Sequence, residues 1–398
     1  MKNSARPLSS TPTNDRPVDI LLHFLNIPLK INPIDWSGIL KDKMPVMYSN
    51  LLGGTPLMGL LMGITVSSIS CKSDPGSVLK DGHSEKPIVL VAGYSGANGT
   101  NHIAKYWADG QETTLSNGSN DAYANSIFVN GSDIYIAGTN AVPVYWQNNT
   151  ETKLSIKSTY GAANSVCVSG NNVYIAGNDS SKAVFWKDGA ETFLDNVTDS
   201  GSFGTSACVS GNDVYIAGTR GYNAVYWKNG NIVCLTGYNV PTQHVRVNGI
   251  SILNGDTYVV GYVNYAASPF PSLNYWAKDV ATDLNTGYDL TSPNNNYGEV
   301  SSVFVSGNDV YVSGMVVTTN QMINNAVYWK NGVETVLPSS AANAFASSIY
   351  VSGNDVYVAG YEYNKDQPKY AVYWKNGVEV KLTDGTTETI ATSIFVKQ

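Results

Sequence analysis

The sequence has little charge, few cysteines and few histidines. Only 14% of its 398 residues are charged, whereas about 25% is usual in soluble domains. The net charge is −7 and no stripe of basic residues is present, which argues against a nucleic-acid partner. The 4 cysteines form no Cys-x-x-Cys pair, which argues against a zinc site. No His-Glu-x-x-His, phosphate loop or nucleophile elbow occurs either.

What the chain has instead is a repeated segment, seen best in residues 347–382. This segment contains four apolar runs rich in Val, Tyr and Ile, which is typical of strands. Gly353-Asn354 separates the first two runs and Asn376-Gly377 the last two, and both dipeptides favour tight hairpin turns. One repeat therefore predicts a four-stranded antiparallel meander, with strands a, b, c and d.

The number of repeats follows from an aromatic pair in strand c. The second member of each pair is a tryptophan, and these tryptophans are 39 to 53 residues apart. They are Trp107, Trp146, Trp186, Trp227, Trp276, Trp329 and Trp374. A period of about 40 to 50 residues with four strands in each repeat is the signature of a β-propeller blade.

The two ends of the repeat region indicate how the ring closes. The first repeat begins with a strand b at residues 87–93 and lacks a strand a, while residues 393–396 form a surplus strand a. We therefore predict an all-β fold, a seven-bladed β-propeller of four-stranded antiparallel blades. The C-terminal strand is expected to pair into the first blade. An open seven-unit solenoid is the alternative.

Residues 1–86 do not match the repeat. We interpret 1–43 as an unstructured leader or a mis-called start, 44–71 as a lipoprotein-type signal peptide, and 72–86 as a flexible tether to the propeller at 87–398. The apolar run 56–66 is too short for a membrane span, which needs about 20 residues. Ser68-Ile-Ser-Cys71 resembles the bacterial lipobox, and this resemblance implies lipidation of Cys71.

The expected location is the cell envelope, at the outer membrane or cell surface, with the N-terminal lipid anchor as the only membrane contact. Ordinary secretion and a cytoplasmic protein with a spurious apolar run are the alternatives. The repeat core, Val-Ser-Gly-Asn-Asp-Val-Tyr-Val-Ala-Gly at 351–360 with Ala-Val-Tyr-Trp-Lys-Asn-Gly at 371–377, resembles that of uncharacterised propeller-repeat lipoproteins of bacteria. The resemblance covers 87–398 and implies a fold but no assigned activity.

The remaining reactive side chains have structural interpretations. Cys167, Cys208 and Cys234 lie in strand positions and are expected to be small buried hydrophobes. An aspartate recurs at the start of strand b, but the Asp-x-Asp-x-Asp-Gly spacing of calcium loops is absent. We therefore expect these carboxylates to bond local backbone N–H groups at the turn, and we predict no metal and no cofactor. The recurrent residues are Asp133, Asp213, Asp309 and Asp355.

A binding site is expected on the face that carries the b–c and d–a loops, because these loops vary in length and composition. They are rich in Tyr and Asn, which suits stacking on sugars or on a protein surface. The candidate aromatic residues are Tyr222, Tyr262, Tyr265, Phe270, Tyr288, Tyr297, Tyr361 and Tyr363. Arg220, His244 and Arg246 are expected to lie near blades 4 and 5, where they could clamp a carboxylate or phosphate.

Three classes of function fit these observations. The first is a non-catalytic, surface-displayed module that binds a glycan or other extracellular ligand. The second is a protein-interaction scaffold at the cell envelope, with a surface protein as its partner. The third is a lyase or hydrolase, against which stands the thin supply of acids, bases and nucleophiles on the loops. The protein is expected to be a monomer, and fold alone does not decide among these classes.

Overall fold

The computed structural model describes residues 86–96, 100–195, 201–235, 243–265, 272–284, 297–318 and 323–398. All of these residues lie within one compact unit of the chain, Thr65–Gln398. Leader, signal peptide and tether residues before 86, with Cys71 among them, lie outside the described residues. The boundaries given to these segments stay predictions.

The described residues form 28 strands in seven four-stranded sheets. Blade 1 contains β1 (Ile88–Ser95), β2 (Ile103–Ala108) and β3 (Gln111–Thr114). Blade 2 contains β4 (Ala122–Asn130), β5 (Asp133–Asn140), β6 (Val142–Gln147) and β7 (Thr150–Lys153). Blade 3 contains β8 (Gly161–Ser169), β9 (Asn172–Asp179), β10 (Lys182–Lys187) and β11 (Ala190–Phe193). Blades 4 and 5 contain β12 (Ser202–Ser210), β13 (Asp213–Arg220), β14 (Asn223–Lys228) and β15 (Asn231–Cys234); and β16 (Gln243–Leu253), β17 (Asp256–Tyr265), β18 (Ser272–Ala277) and β19 (Val280–Asp283). Blades 6 and 7 contain β20 (Tyr297–Ser306), β21 (Asp309–Thr318), β22 (Ile323–Lys330) and β23 (Val333–Val336); and β24 (Asn343–Ser352), β25 (Asp355–Tyr363), β26 (Tyr370–Lys375) and β27 (Val378–Lys381). The last strand is β28 (Thr389–Lys397).

The predicted ring closure is confirmed. Strand β28 pairs antiparallel with β1, from Ile88 opposite Lys397 to Ser95 opposite Thr389, so the C-terminal strand is strand a of blade 1. Each strand a contacts the strand a of both neighbouring blades. The seven strands a therefore line the centre of the ring, and the short strands d lie at its rim. The chain is a closed seven-bladed β-propeller rather than an open solenoid.

Packing between blades depends on the tryptophan of strand c. All seven of these side chains are at most 1% exposed. Alternation along strand c places the valine at 372 on the same blade face as Trp374, and both are buried. Tyr373 points to the opposite face, where it is partly buried against the next blade. Both faces of a blade are thus covered, as the repeat pattern predicts.

Side chains of strand a also join the blades through hydrogen bonds. A serine oxygen accepts the backbone N–H of the next strand a at five junctions, with distances of 3.1–3.3 Å. These serines are Ser126, Ser165, Ser206, Ser348 and Ser393. One of the bonds, from Ile394 N–H to Ser348, crosses the closure of the ring. We call this set the serine belt.

A β-bulge lies directly beside the serine belt in every strand a. The bulged residue of several blades reaches the next blade: Asn125 donates to the carbonyl of Ala163, and Asn164 donates to that of Gly204. The bulge is possible because strand b has glycine opposite it. A Cβ at Gly360 would overlap the carbonyl oxygen of Phe345 and lie 3.1 Å from Trp374 Cζ3.

The aspartate at the start of strand b makes a different contact from the one expected. Asp355 accepts from Asn376 Nδ2 at 2.7 Å and pairs with Lys375 Nζ at 3.0 Å, so it ties strand b to the c–d turn. Asn376 Oδ1, rather than the carboxylate, accepts a backbone N–H, that of Val356. Lys375 also lies over the ring of Tyr357. Asp213 and Asp309 repeat the arrangement.

The cysteine prediction is partly corrected. Cys167 is buried in strand a of blade 3, as expected for a small hydrophobic residue. Cys208 is buried in strand a of blade 4 but is disulfide-bonded, which the prediction did not include. Burial raises the pKa of the Cys167 thiol to about 12. Cys234 is exposed, because strand d is the outermost strand and its outer edge meets no further strand.

Removal of residues 391–398 is expected to abolish cooperative unfolding, because blade 1 would lose its strand a and the ring would stay open. Deletion of Gln398 alone, which lies beyond β28, is the control and should leave a single sharp transition. Calorimetry and urea unfolding would measure both. A truncated chain that melts like the full chain would contradict the closure.

Gly360→Ala is expected to destabilise the propeller by roughly 3 kcal/mol, the upper end of overpacking costs, because its Cβ meets a backbone carbonyl that cannot move aside. Gly249→Ala is the matched control, since its nearest neighbour, Val303 N, would be 3.3 Å away. Urea unfolding compares the two variants. Equal losses of stability at the two positions would refute the role given to Gly360.

Candidate functional site

The propeller has two faces of different character. The a–b and c–d turns share one face, which we call the turn face, as the Asp355–Asn376 bond shows. The b–c and d–a segments meet on the other, which we call the variable face. There Ala141 N–H of a b–c turn donates to the carbonyl of Asp121 in a d–a segment. The candidate site lies on the variable face, at the ends of strands a and b nearest the centre.

Beyond each bulge the strand alternates, so that Ala344 and Ala346 stay packed between blades while Phe345 between them is less buried. The residue after the strand-b glycine pairs with a residue of strand a, as in Arg246 opposite Tyr262, Phe345 opposite Tyr361 and Tyr94 opposite Ile390. Several of these side chains are aromatic and half-buried. We call Tyr94, Tyr123, Tyr262, Phe345, Tyr361 and Tyr363 the aromatic arc.

One part of the arc is a cluster of rings from blades 1 and 2. Tyr94 meets Tyr123 and His102 edge-on, with ring centroids 4.8 and 5.4 Å away. The Tyr123 hydroxyl lies 2.8 Å from His102 Nδ1, and Asp121 Oδ1 lies 3.0 Å from the same nitrogen. Hydrogen bonds from the backbone and ring of His102 lower the pKa of Asp121. These contacts hold the rings of Tyr94, Tyr123 and His102 in one arrangement.

A second part belongs to blade 7. Phe345 and Tyr361 stack with their centroids 5.3 Å apart, and Tyr363 follows at 6.4 Å from Tyr361. Lys369 Nζ lies 5.4 Å from the Tyr361 ring and 3.2 Å from Glu388 Oε1. Blade 7 therefore has an aromatic surface with two charged groups, Lys369 and Glu388, at its edge.

Electrostatic coupling shows that the parts of the arc are neighbours. Burial raises the pKa of Tyr361, and the nearby Tyr363, Tyr94 and Glu299 raise it further. Burial and the charge of Glu299 also raise the pKa of Tyr262, whereas Arg246 lowers it. Glu299 of blade 6 therefore lies between the aromatic groups of blades 5 and 7, and the arc runs through blades 5, 6, 7, 1 and 2.

The residues predicted from the sequence to form the binding site lie in several different parts of the structure. Tyr262, Tyr361 and Tyr363 belong to the aromatic arc, and Arg246 lies beside it. Arg220 and Tyr222 lie at the b–c turn of blade 4. His244, Tyr265 and Tyr297 lie in β16, β17 and β20, where only their backbone is described, while Phe270 and Tyr288 lie outside the described residues.

Of the predicted Arg220–His244–Arg246 clamp, the structure describes the side chains of Arg220 and Arg246, and the clamp stays a prediction. Arg220 Nε is 2.9 Å from Asp195 Oδ2, a side chain only 5% exposed, so its charge is already balanced. Arg246 belongs to strand a of blade 5 rather than to a loop, and its side chain is exposed.

Reasoning from the sequence missed Tyr94, His102, Tyr123, Glu299 and Phe345. The sequence prediction placed the site on the long loops, whereas these residues lie in or beside strand ends. The available signal was the repeat alignment itself. The position after the strand-b glycine varies between blades, while the positions before it recur. A variable position within a repeated strand is where a site on a repeat scaffold is expected.

A cavity of about 460 Å³ opens between blades 4 and 5, next to Arg246. Its walls come from strand a of both blades and from strand b and the b–c turn of blade 4. The lining residues are Phe203, Thr205, Thr219, Gly221, Val245, Arg246, Val247 and Asn248. The volume is within the usual range for small-molecule sites, about 300–1,000 Å³.

Two carboxyl pairs lie farther from the centre. In blade 3, Asp179 is 2% exposed and accepts from the N–H groups of Lys157 and Ser158. Burial and the charge of Asp179 raise the pKa of Glu191 to about 7, so this pair shares a proton near neutrality. In blade 7, burial and the charge of Glu379 in strand d raise the pKa of Glu362, whose Oε2 accepts from the Tyr370 hydroxyl at 2.7 Å.

These pairs have the protonation of a general acid, but they bridge strands b and d of one blade. Glu362 lies between the arc residues Tyr361 and Tyr363 in β25, where alternation places its side chain on the opposite face of the strand. In the described ranges, no group of three or more His, Cys, Asp or Glu side chains could hold a metal ion. In the same part of the chain no helix is long and apolar enough to cross a membrane.

The comparisons with known proteins give no family. No family model and no curated protein matches the chain. The computationally designed Ika8 protein is 13% identical over 77% of this chain and 91% of its own, with a TM-score of 0.41. The acylaminoacyl peptidase of Pyrococcus horikoshii is 13% identical over 76% of this chain and 51% of its own, with a TM-score of 0.45.

A putative 6-phosphogluconolactonase from Bacteroides fragilis is 12% identical over 80% of this chain and 100% of its own, with a TM-score of 0.41. At these identities and scores none of the likenesses carries an argument about activity.

Glu191→Gln is expected to change how stability depends on pH. A raised folded-state pKa means that the contribution of Glu191 to stability is present at low pH and is lost as the pH rises through about 7. Glutamine can donate to Asp179 at every pH. The melting temperature of the variant should therefore match that of the wild type at pH 5 and exceed it at pH 8.

Glu151→Gln is the control, because Glu151 has the equivalent place in blade 2 and accepts from the neutral amide of Asn140 at 2.8 Å. Its pH profile should follow that of the wild type. A Glu191→Gln profile parallel to that of the wild type from pH 5 to 8 would mean that Glu191 is ionised throughout this range.

Proposed function

We propose that this protein is a non-catalytic binding module, displayed at the cell envelope, that holds a glycan across the aromatic arc of its variable face. The aromatic arc is the observation that carries the proposal. Tyrosine and phenylalanine present flat apolar faces, on which the C–H faces of sugar rings can stack, while hydroxyl tips offer hydrogen bonds. Six such side chains from four blades, 5, 7, 1 and 2, suit a ligand with several sugar units.

The rigidity of the arc supports binding with little loss of entropy. The rings of Tyr94, Tyr123 and His102 hold one another through edge contacts and a hydrogen bond. Phe345 and Tyr361 are stacked before any ligand arrives. A preorganised surface keeps more of its interaction energy for the ligand.

The arrangement of reactive groups favours binding over catalysis. His102 Nδ1 bonds to Asp121 and to the Tyr123 hydroxyl, and no serine or cysteine side chain of the described residues bonds to its ring. The carboxyl groups with raised pKa values, Glu191 and Glu362, pair within one blade, and alternation places Glu362 on the opposite face of β25 from Tyr361 and Tyr363. A nucleophile and a base within reach of one ligand atom are what an enzyme would need.

Lipid anchorage at Cys71 and a monomeric state complete the proposal. The lipobox-like Ser68-Ile-Ser-Cys71 and the tether 72–86 support the anchor. Mass spectrometry of the N-terminal peptide of the native protein tests it. A lipidated Cys71 is the expected result, and a chain that retains residues before Cys71 would contradict it.

A glycan array with the purified chain, followed by calorimetric titration of the sugars that bind, tests the arc. Tyr94→Ala and Tyr361→Ala are each expected to weaken binding up to about tenfold, since a stacked aromatic contact contributes about 0.5–1.5 kcal/mol. Tyr160→Ala is the matched control, because Tyr160 is a tyrosine of blade 3 that is 60% exposed.

Binding that survives both arc substitutions would contradict the proposed site. If folded protein binds no glycan, the glycan proposal is wrong and the variable face would be assigned to a protein partner. Crosslinking on intact cells would then identify that partner, with Tyr361→Ala reducing its capture.

A further inference from the structure

The cavity between blades 4 and 5 lies beside the bulged residue of blade 4, Thr205. In blades 1, 2, 3 and 5 the bulged residue donates across the junction to a carbonyl of the next blade. Thr205 donates to the carbonyl of Ala217 in its own blade at 3.1 Å, as Thr392 of blade 1 also does to Ala92, but Thr205 makes no such bond to blade 5 among the described residues. Ser206 still bonds to Ile250 N–H just below. The junction between blades 4 and 5 is thus closed at the serine belt and open between the belt and the variable face.

The lining of this cavity combines an apolar floor with polar walls. Val245 and Val247 are 5% and 1% exposed and form apolar parts of the lining. Thr205 and Thr219 contribute hydroxyl groups. Phe203 is 44% exposed and offers a ring at one wall. A sugar ring has the same mixture, with an apolar C–H face and hydroxyl groups at its edge.

Arg246 gives the cavity a positive charge. Its guanidinium is exposed, and within the described ranges no carboxylate lies within ion-pair distance of it. The neighbouring Arg220, by contrast, is neutralised by Asp195. Arg246 also lowers the pKa of Tyr262, so its charge is felt at the end of the aromatic arc. The cation therefore lies where the arc and the cavity meet.

We propose that the ligand is an acidic glycan and that the carboxylate of a uronic acid binds Arg246 with its sugar ring in the cavity between blades 4 and 5. This inference rests on the proposed function and names the class of sugar. The planar guanidinium matches a carboxylate through two parallel hydrogen bonds. One arginine balances one negative charge, so a singly charged carboxylate fits better than a phosphate dianion.

The test uses the full chain and four uronate oligosaccharides of galacturonate, glucuronate, mannuronate or guluronate, each beside its methyl ester. Esterification removes the charge and keeps the sugar. We expect at least one acid to bind at least tenfold more tightly than its ester. Arg246→Gln should remove this preference, whereas Arg220→Gln should retain it.

A second variant tests the cavity without changing the net charge. Thr205→Asn places at the bulge the residue found at Asn125 and Asn164, which cross to the next blade. It should fill the open junction and lower the affinity for the acid at least fivefold, with no loss of folding.

The outcomes separate this inference from the proposed function. Tyr361→Ala should weaken an oligosaccharide but leave a single uronate unit bound to the cavity with unchanged affinity. If neutral glycans bind through the arc and acids show no preference, the carboxylate site is wrong while the arc stands. A preference for sulfated sugars over uronates would also overturn it. If no sugar binds, the glycan proposal for the aromatic arc and the carboxylate site at Arg246 are both wrong.

Discussion

The structure depends on how each strand a meets the next one around the centre of the ring. A single blade leaves both of its sheet faces apolar, so it is stable only between two others. The buried tryptophan of strand c covers these faces, and the serine belt sets the spacing of the innermost strands. The bond from Ile394 N–H to Ser348 continues this belt through the closure made by β28. Without that strand the first and last blades would each expose an apolar face.

The candidate site is a consequence of the same geometry. A β-bulge turns the end of strand a, and the glycine of strand b leaves room for it. Beyond the bulge, alternate side chains still pack between blades, and those between them can vary from one repeat to the next. Aromatic residues stand there in blades 5, 7, 1 and 2, and Arg246 and Glu299 add single charges. The cavity lies beside Thr205, which donates within its own blade.

Much of the fold was predictable because each feature of the repeat is indicated by a local sequence pattern. The Asn376-Gly377 turn, the period of the tryptophans and the surplus strand at 393–396 each indicate one feature, and together they specify seven closed blades. Residue contacts across the blade were less predictable. Asp355 was expected to bond backbone groups, but the c–d turn brings Asn376 and Lys375 nearer. Cys234 was expected to be buried, but the rim of the ring exposes strand d.

The sequence by itself determined the strand pattern, the number of blades and the face on which variable residues collect, because turns and alternation act over a few residues. Only the tertiary structure decided which of those residues lie together. Tyr94 and Tyr361 are far apart in the chain, yet closure of the ring makes their blades neighbours. Arg220 and Arg246 have the same charge, yet the fold pairs the first with Asp195 and leaves the second beside a cavity. Such pairings depend on contacts between blades, which no local pattern records.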